Sequence, residues 1–309
     1  MVLTIIMRSI GIKLLVKVSI YPFFISKFDH GTINASVIAL YIACNLLNYI
    51  AIVYEHTIRS VPMNKENHAK RLLVGVLTPS SNTALEPLTS ALLSQVDNVS
   101  AHFSRFRVTK ISLDTQDLNQ FELSPILNAA SLLTDAKVDI IGWSGTAAGW
   151  MGFGQDQTLC QAITDSTGIP ATSSVLALNE ILNKMAVKRI AIVSPYTADV
   201  QEKIVANYQS ININTVAEKH LNISDNFAFS EVSTEQLKSC VMEVSKQAPD
   251  AILLYCTNLC SADQVSEWEA ECNIPIIDTT STVIWKMLRE VGVDSTKVNN
   301  WGRFFQEAK

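Results

Sequence analysis

The residue with the most useful chemistry in this sequence is Cys256, because a thiol near its reference pKa of about 8.5 exchanges a proton close to neutral pH. It directly follows an apolar run at residues 251–255, which predicts a strand buried on both faces of a parallel sheet. Small and polar residues follow before a helical pattern begins near Ala262. A cysteine at the carboxyl end of such a strand lies where open α/β sheets bind ligands. A cysteine that only packs remains the alternative on position alone.

The composition describes a folded chain with ample material for a core. The chain has 309 residues, of which 48% are hydrophobic and 17% charged. The net charge of -5, with no basic run, gives no indication of a nucleic-acid partner. The six cysteines form no C-x-x-C pair and have no metal-ligand spacing, so we expect no metal and no disulfide framework. This cysteine usage favours reduced thiols in a cytoplasmic setting.

Residues 1–62 form an apolar N-terminal extension that differs from the rest of the chain. Asp29 and Glu55 are its only acids, and residues 34–54 carry no charge over about the length that spans a bilayer. Two interpretations stay open: a membrane anchor, or a segment that is not part of the native protein, since Met63 begins an ordinary start for a soluble domain. We therefore expect a cytoplasmic catalytic domain, membrane-anchored if 34–54 is genuine, and base the fold prediction on the remainder.

From Leu72 onward, strand patterns alternate with helix patterns, which predicts a mostly parallel sheet. Three landmarks recur in order at a shift of about 110 residues, which indicates an internal duplication. They are Thr78-Pro79-Ser80 with Ser194-Pro195-Tyr196, Ser144-Gly145-Thr146 with Cys256-Thr257-Asn258, and Ile169-Pro170 with Ile274-Pro275. We predict an α/β fold of two pseudo-symmetric Rossmann-like lobes, lobe 1 from 63–181 plus 282–309 and lobe 2 from 182–281. The active site is expected in the cleft between them.

The duplication places three pairs of turns around that cleft. They contain Asn82 and Tyr196, Gly145-Thr146 and Cys256-Thr257, and Ser173-Ser174 and Thr280-Ser281. This lining is rich in hydroxyls, amides and backbone N–H groups, and it is poor in Lys, Arg and His. Such a site suits a carboxylate that is held by neutral donors, and a developing enolate would be stabilised in the same way.

Four motifs together resemble the aspartate/glutamate racemase superfamily, in its maleate isomerase and arylmalonate decarboxylase branch. They are residues 75–82 (Gly-Val-Leu-Thr-Pro-Ser-Ser-Asn), 194–196 (Ser-Pro-Tyr), 223–226 (Ile-Ser-Asp-Asn), and the Cys256 strand with its continuation at 273–275 (Asn-Ile-Pro). The resemblance covers about residues 71–293. It implies chemistry on small carboxylates or dicarboxylates without a metal or cofactor.

Members that racemise or isomerise have a cysteine at the matching strand end of each lobe, whereas this chain has Gly145 in lobe 1 and Cys256 in lobe 2. Arylmalonate decarboxylases look the same here, with glycine and then threonine first and one cysteine second. The resemblance implies that Cys256 protonates an enediolate after carbon dioxide leaves, and that the place opposite is vacant. A Gly145→Cys change is then expected to add proton exchange at the α-carbon.

A second departure points towards the isomerases. The turn ending in Asn82 is like theirs, and in them residues matching Asn82, Tyr196 and Asn226 contact the substrate carboxylates. This favours a polar dicarboxylate over an aryl one. The predicted substrate-binding set is Asn82, Gly145, Thr146, Ala147, Tyr196, Asn226 and Thr257, with Cys256 as the catalytic residue. A maleate cis-trans isomerase, a racemase-like isomerase and a non-catalytic carboxylate-binding protein stay open as alternatives, and neither the substrate nor the oligomeric state is predicted.

Overall fold

The computed structural model describes residues 2–9, 12–19 and 71–308. The chain divides into two units, residues 1–67 and 68–309. In the first unit, β1 (Val2–Ser9) and β2 (Ile12–Ser19) form an antiparallel pair in which Val2 lies opposite Ser19. The predicted anchor at 34–54 lies outside the described residues, and the boundary at residue 62 stays a prediction. Within the part of the chain that is described, no helix is both long and apolar enough to cross a bilayer.

The second unit contains two four-stranded sheets in which every pair of neighbouring strands is parallel. The first is built from β3 (Leu72–Pro79), β4 (Val99–Phe106), β5 (Ile140–Trp143) and β6 (Ala171–Ser173), in the order β4-β3-β5-β6. The second is built from β7 (Arg189–Ser194), β8 (Asn214–His220), β9 (Ala251–Leu254) and β10 (Ile276–Asp278), in the order β8-β7-β9-β10. Because the two orders are identical, the predicted α/β fold with two pseudo-symmetric lobes is confirmed.

Helices connect the strands in both lobes. Lobe 1 contains α1 (Leu85–Leu93), α2 (Thr115–Leu118), α3 (Leu123–Asp135), α4 (Ala148–Met151), α5 (Phe153–Thr167) and α6 (Ser174–Lys184). The second half of the unit contains α7 (Ala198–Ser210), α8 (Thr234–Ser245), α9 (Val265–Cys272), α10 (Thr279–Glu290) and α11 (Phe304–Glu307). Short 3-10 turns lie at Asn119–Phe121, Ala228–Glu231, Ala262–Gln264 and Ser295–Lys297.

The central strands are continuous apolar runs because helices cover both faces of each sheet. All four residues of β9 are fully buried, and so are residues 190–193 of β7. Helix α10 follows the last strand of lobe 2 but packs on β5 and α6 of lobe 1. Gly142 allows this approach, since a Cβ there would lie 2.6 Å from Sδ of Met287 and 2.7 Å from Cγ2 of Val283. The lobe boundaries themselves stay predictions.

Side-chain hydrogen bonds join the two lobes where the strands end. The Asn82 amide donates to the carbonyl of Thr257 at 3.0 Å, and the Asn258 side chain accepts from the N–H of Thr83 at 3.0 Å. The carboxyl ends of β3 and β5 therefore face the turn that follows β9, which brings residues from both halves of the sequence to one place.

Candidate active site

Cys256 lies just after β9 and is only 2% exposed. Burial raises the pKa of its thiol to about 12, with the carboxylate of Asp278 adding to the shift. The Tyr196 hydroxyl and the N–H groups of Asn258 and Leu259 act in the opposite direction, and the Asn258 N–H lies 3.4 Å from Sγ. The sequence predicted a thiol near its ordinary pKa. The shift arises because the fold removes the sulfur from water and surrounds it mainly with neutral groups.

A small cavity lies beside this sulfur and is named here the Cys256 cavity. Its volume is about 20 Å³, room for a single water molecule. Seven of the eight predicted site residues line it: Gly145, Thr146, Ala147, Tyr196, Asn226, Cys256 and Thr257. The fold thus brings together side chains from both lobes, as the position of the strand ends predicted. Their contact with a substrate stays a prediction.

Tyr196 and Thr146 meet across the two lobes in this cavity. Their hydroxyl oxygens are 2.6 Å apart, and both residues are buried. Burial raises the pKa of Tyr196 well above its usual value, so its hydroxyl stays protonated. The tyrosine ring is held edge-on by Trp150 at 5.1 Å and Phe229 at 5.5 Å. Because the two hydroxyls share one hydrogen bond, their second proton is available either to a bound group or to the Cys256 sulfur beside Tyr196.

Asn82 is the one predicted residue that does not line the cavity. Its side-chain oxygen accepts the N–H groups of Ala84 at 3.1 Å and Leu85 at 2.9 Å, and its amide donates to Thr257. The side chain thus caps the start of α1 and holds the Thr257 turn in place. Its predicted contact with substrate stays a prediction, whereas this positioning role is visible.

Asn226 lines the cavity and is held by two neighbours. Its side-chain amide donates to the hydroxyl of Ser81 at 2.7 Å, and its backbone carbonyl accepts from the side chain of Asn258. Asn258 was not singled out from the sequence, although it contacts both lobes. A polar residue two positions after the candidate cysteine was the only available signal, and it is too common to be specific.

The place opposite Cys256 is filled, not vacant. A Cβ added at Gly145 would lie 2.0 Å from Cζ2 and 2.4 Å from Cη2 of the Trp143 indole. Trp143 is 1% exposed and packs against Phe106 with ring centroids 5.1 Å apart. The indole therefore occupies the space that a lobe 1 cysteine would need. The expectation of a vacancy is wrong, because the side chain two residues earlier turns into it.

The rest of the cavity wall is apolar, and no motif in the sequence marks its residues. It consists of Pro79, Val108, Ile111, Phe121, Trp143 and Trp150. Three of these residues lie in the connection between β4 and α3, where no periodic pattern marks an inward-facing side chain. The cavity lining thus combines hydroxyl and amide groups with aliphatic and aromatic side chains.

Known proteins resemble this chain in sequence over most of residues 71–308. A sequence profile of the arylmalonate decarboxylase family matches residues 74–305. A maleate isomerase from Pseudomonas putida (strain KT2440) is 28% identical over 233 residues, which cover 72% of this chain and 92% of that protein. An arylmalonate decarboxylase from Bordetella bronchiseptica is 24% identical over 189 residues, which cover 60% of this chain and 79% of that protein.

A solved structure shares the fold. It is a maleate cis-trans isomerase from Nocardia farcinica, in a cysteine-to-serine variant with a covalently bound succinylcysteine intermediate. It superposes with a TM-score of 0.70 at 23% identity, covering 76% of this chain and 98% of that one. The profile match spans most of the chain and confirms the resemblance drawn from the motifs. The chain therefore belongs to the arylmalonate decarboxylase family, and it is an enzyme whose relatives include maleate isomerases and an arylmalonate decarboxylase.

Proposed function

We propose that this enzyme decarboxylates a small α-substituted malonate, with Cys256 donating a proton to the carbon that loses carbon dioxide. One observation carries the proposal: a single buried thiol faces a position that an indole fills. Such a site has one acid and no second cysteine opposite it, which suits delivery of one proton to one face of a planar intermediate.

The reaction balances with the groups at hand. The bond between the α-carbon and one carboxylate breaks, and carbon dioxide leaves. The electron pair stays on the α-carbon and is delocalised into the remaining carboxylate as an enediolate. The S–H proton of Cys256 then forms the new C–H bond, and the resulting thiolate regains a proton from water. The product is the monocarboxylate, and no oxidant or reductant takes part.

The enediolate places extra negative charge on the retained carboxylate, so donors are needed there. Thr146 and Tyr196 supply neutral hydroxyls in a buried setting, where each hydrogen bond to a charged group is stronger than in water. The Thr257 hydroxyl already donates to the carbonyl of Ser144 at 3.2 Å. The hydroxyls of Thr146 and Tyr196 share one hydrogen bond, which leaves one further proton for the retained carboxylate until the Cys256 thiolate forms beside Tyr196. This arrangement supports stabilisation of the intermediate without a positively charged side chain.

The raised pKa of Cys256 supports the role of acid. At neutral pH a thiol with a pKa of about 12 keeps its proton until a stronger base forms beside it. The α-carbon of an enediolate is such a base. The Tyr196 hydroxyl and the Asn258 N–H then stabilise the thiolate that remains. The same property argues against Cys256 as a nucleophile, because nucleophilic attack requires the thiolate.

A maleate isomerase is the second candidate, and the Asn82 and Asn226 amides near the cavity favour it. The Nocardia relative carries a succinylcysteine although another of its cysteines is serine, so its covalent step uses a different cysteine from the replaced one. The resemblance assigns that nucleophile to the position of Gly145 here. An isomerase built on this chain would need Cys256 itself to attack the double bond.

Turnover of phenylmalonate, methylmalonate, maleate, aspartate, glutamate and hydantoins, followed by NMR in deuterated water, tests the proposal. We expect a malonate to give a monocarboxylate with one deuterium at the α-carbon and a single handedness. Cys256→Ala should lower kcat by about 10²- to 10⁴-fold, the usual contribution of a positioned acid.

Cys260→Ala is the matched control. Cys260 is half-buried, lies four residues further on in a turn, and donates to the carbonyl of Ser230 at 3.6 Å, so its loss should leave turnover unchanged. Conversion of maleate to fumarate without decarboxylation of any malonate would support the isomerase instead. A folded protein that turns over none of these acids would overturn both candidates.

A further inference from the structure

A second and larger cavity, named here the Asp156 cavity, lies beside the first. Its volume is about 100 Å³, and its rim includes Leu123, which is 43% exposed. Phe121, Trp143 and Ala147 line both cavities and therefore form the partition between them. Most of the remaining wall is apolar, formed by Leu123, Ile126, Ala148, Met151 and Leu159.

Asp156 is the polar group buried in this wall. It lies in the first turn of α5 and is only 2% exposed. The Ser173 hydroxyl donates to one carboxylate oxygen. The other oxygen, Oδ2, has no hydrogen-bond partner among residues 71–308. Buried carboxylate oxygens are normally paired, so this oxygen is open to a hydrogen bond from a water molecule or from a bound group.

The second lobe contains the same pair with the two residue types exchanged. There the Ser261 hydroxyl donates to Asp278 at 2.7 Å, and each pair is separated by 17 residues. Asp278 caps α10, and its other oxygen accepts the N–H of Thr280 at 2.7 Å. In lobe 1 the serine, Ser173, is the cap and the carboxylate is on the helix. Both oxygens of Asp278 are therefore hydrogen-bonded, whereas Oδ2 of Asp156, in the wall of the cavity, has no partner among residues 71–308.

The chemistry of the cavity defines what it can hold. Apolar walls with one buried acceptor suit an apolar group that ends in a hydrogen-bond donor. The lining contains no Lys, Arg or His, so a second anionic group would be repelled by the carboxylate. The volume is smaller than the roughly 150 Å³ cavity that is known to bind benzene, so an aromatic ring would span the partition rather than fill this space alone.

We propose that the Asp156 cavity binds the α-substituent of the substrate. This substituent is an apolar group that ends in a hydroxyl, such as a phenol, and its hydroxyl donates to Oδ2 of Asp156. The proposal rests on the decarboxylase function above, because it assigns the substituent of the same malonate. The substituent passes the partition at Phe121. That ring is partly exposed and only edge-on to Trp150 at 6.2 Å, whereas Trp143 is locked against Phe106.

The test compares phenylmalonate, 4-hydroxyphenylmalonate and 4-methoxyphenylmalonate at pH 8.5, where the Asp156 carboxyl, with its pKa raised by burial to about 7, is ionised. We expect kcat/KM for the hydroxyl compound to exceed that for the other two by about tenfold or more, the usual effect of a hydrogen bond to a charged group. In Asp156→Leu this ratio should fall to about one. Asp165→Leu, on the exposed side of the same helix, should keep the wild-type ratio.

Binding of 4-methylphenol and toluene, which need no turnover, separates this inference from the proposed function. Selective binding of 4-methylphenol to wild type, lost in Asp156→Leu, would support the cavity even if no malonate reacts. Turnover of all three malonates at equal rates, with no preference for 4-methylphenol, would overturn the inference and leave the decarboxylase standing. If Asp156→Leu does not fold, the Asp156 carboxyl signal in wild type, followed by ¹³C NMR, must shift with 4-methylphenol and not with toluene.

Discussion

The ends of β5 and β9 occupy equivalent places in the two lobes, yet they are filled in opposite ways. In lobe 2 the strand ends in Leu254, and the side chain two positions later is the Cys256 thiol. In lobe 1 the strand ends in Trp143, and the position two residues later is Gly145. The indole turns into the space left by the glycine. Lobe 1 therefore has an apolar ring where lobe 2 has a thiol that can act as an acid. This difference is more than the loss of one cysteine.

The two lobes also differ in their buried carboxylate–hydroxyl pairs. The largest effect that we expect from this difference is on the free energy of unfolding and its dependence on pH. Burial raises the pKa of Asp156 from 3.8 to about 7 in the folded protein. The folded state therefore binds the proton more tightly than the unfolded state, and stability is lost as pH rises from about 4 to about 7. The difference between the two pKa values corresponds to on the order of 4 kcal/mol above that range.

Asp156→Asn should remove this loss, so the variant should be the more stable protein at pH 8 and match wild type near pH 4. Urea unfolding at intervals across that range measures the difference in the free energy of unfolding. Asp165→Asn is the control and should show no such trend. A difference between Asp156→Asn and wild type that does not change with pH would mean that the carboxyl is not buried as described.

Replacing Gly145 directly tests whether the Trp143 indole takes the place of a second cysteine at the end of β5. Gly145→Cys alone should lower the free energy of unfolding by about 1–3 kcal/mol, as overpacking of a core does, because its Cβ would overlap the Trp143 ring. It should add no proton exchange at the α-carbon. The double variant Trp143→Leu with Gly145→Cys copies the pattern of Leu254 and Cys256 into lobe 1, and it should gain that exchange.

Thermal melting and deuterium incorporation into the product acid, compared among the two single variants and the double variant, measure both effects. The two changes should be strongly non-additive, since each alone disturbs the space that the other fills. If Gly145→Cys by itself is as stable as wild type and exchanges the α-proton, then the indole does not block the second face.

The sequence allowed two similar lobes with mostly parallel sheets, and the meeting of Gly145, Tyr196 and Cys256, to be predicted, because the carboxyl ends of parallel strands must lie at one edge. It did not reveal the direction of the Trp143 ring. That rotamer depends on packing against Phe106, which precedes it by 37 positions in the chain. Asp156 was equally hidden, because an acid in the first turn of a helix is ordinarily solvated. Only the packing of α5 against the strand ends makes it buried.

Tyr196 offers the smallest and most specific test, because its hydroxyl contacts both the Thr146 hydroxyl of one lobe and the Cys256 sulfur of the other. Tyr196→Phe keeps the ring between Trp150 and Phe229 but removes the partner of Thr146 and of the Cys256 sulfur. We expect kcat to fall about 10- to 100-fold, the effect of losing one hydrogen bond to a developing charge, with little change in the melting temperature. The pKa of Cys256, measured by the pH dependence of alkylation, should rise further because a donor to the thiolate is gone.

Tyr208→Phe is the control: that tyrosine is as deeply buried, but its hydroxyl faces Tyr255 at 3.5 Å, so kcat should not change. Equal losses in the two variants would show that Tyr196 acts through packing alone, and the thiol would then be the only group at this junction with a chemical role.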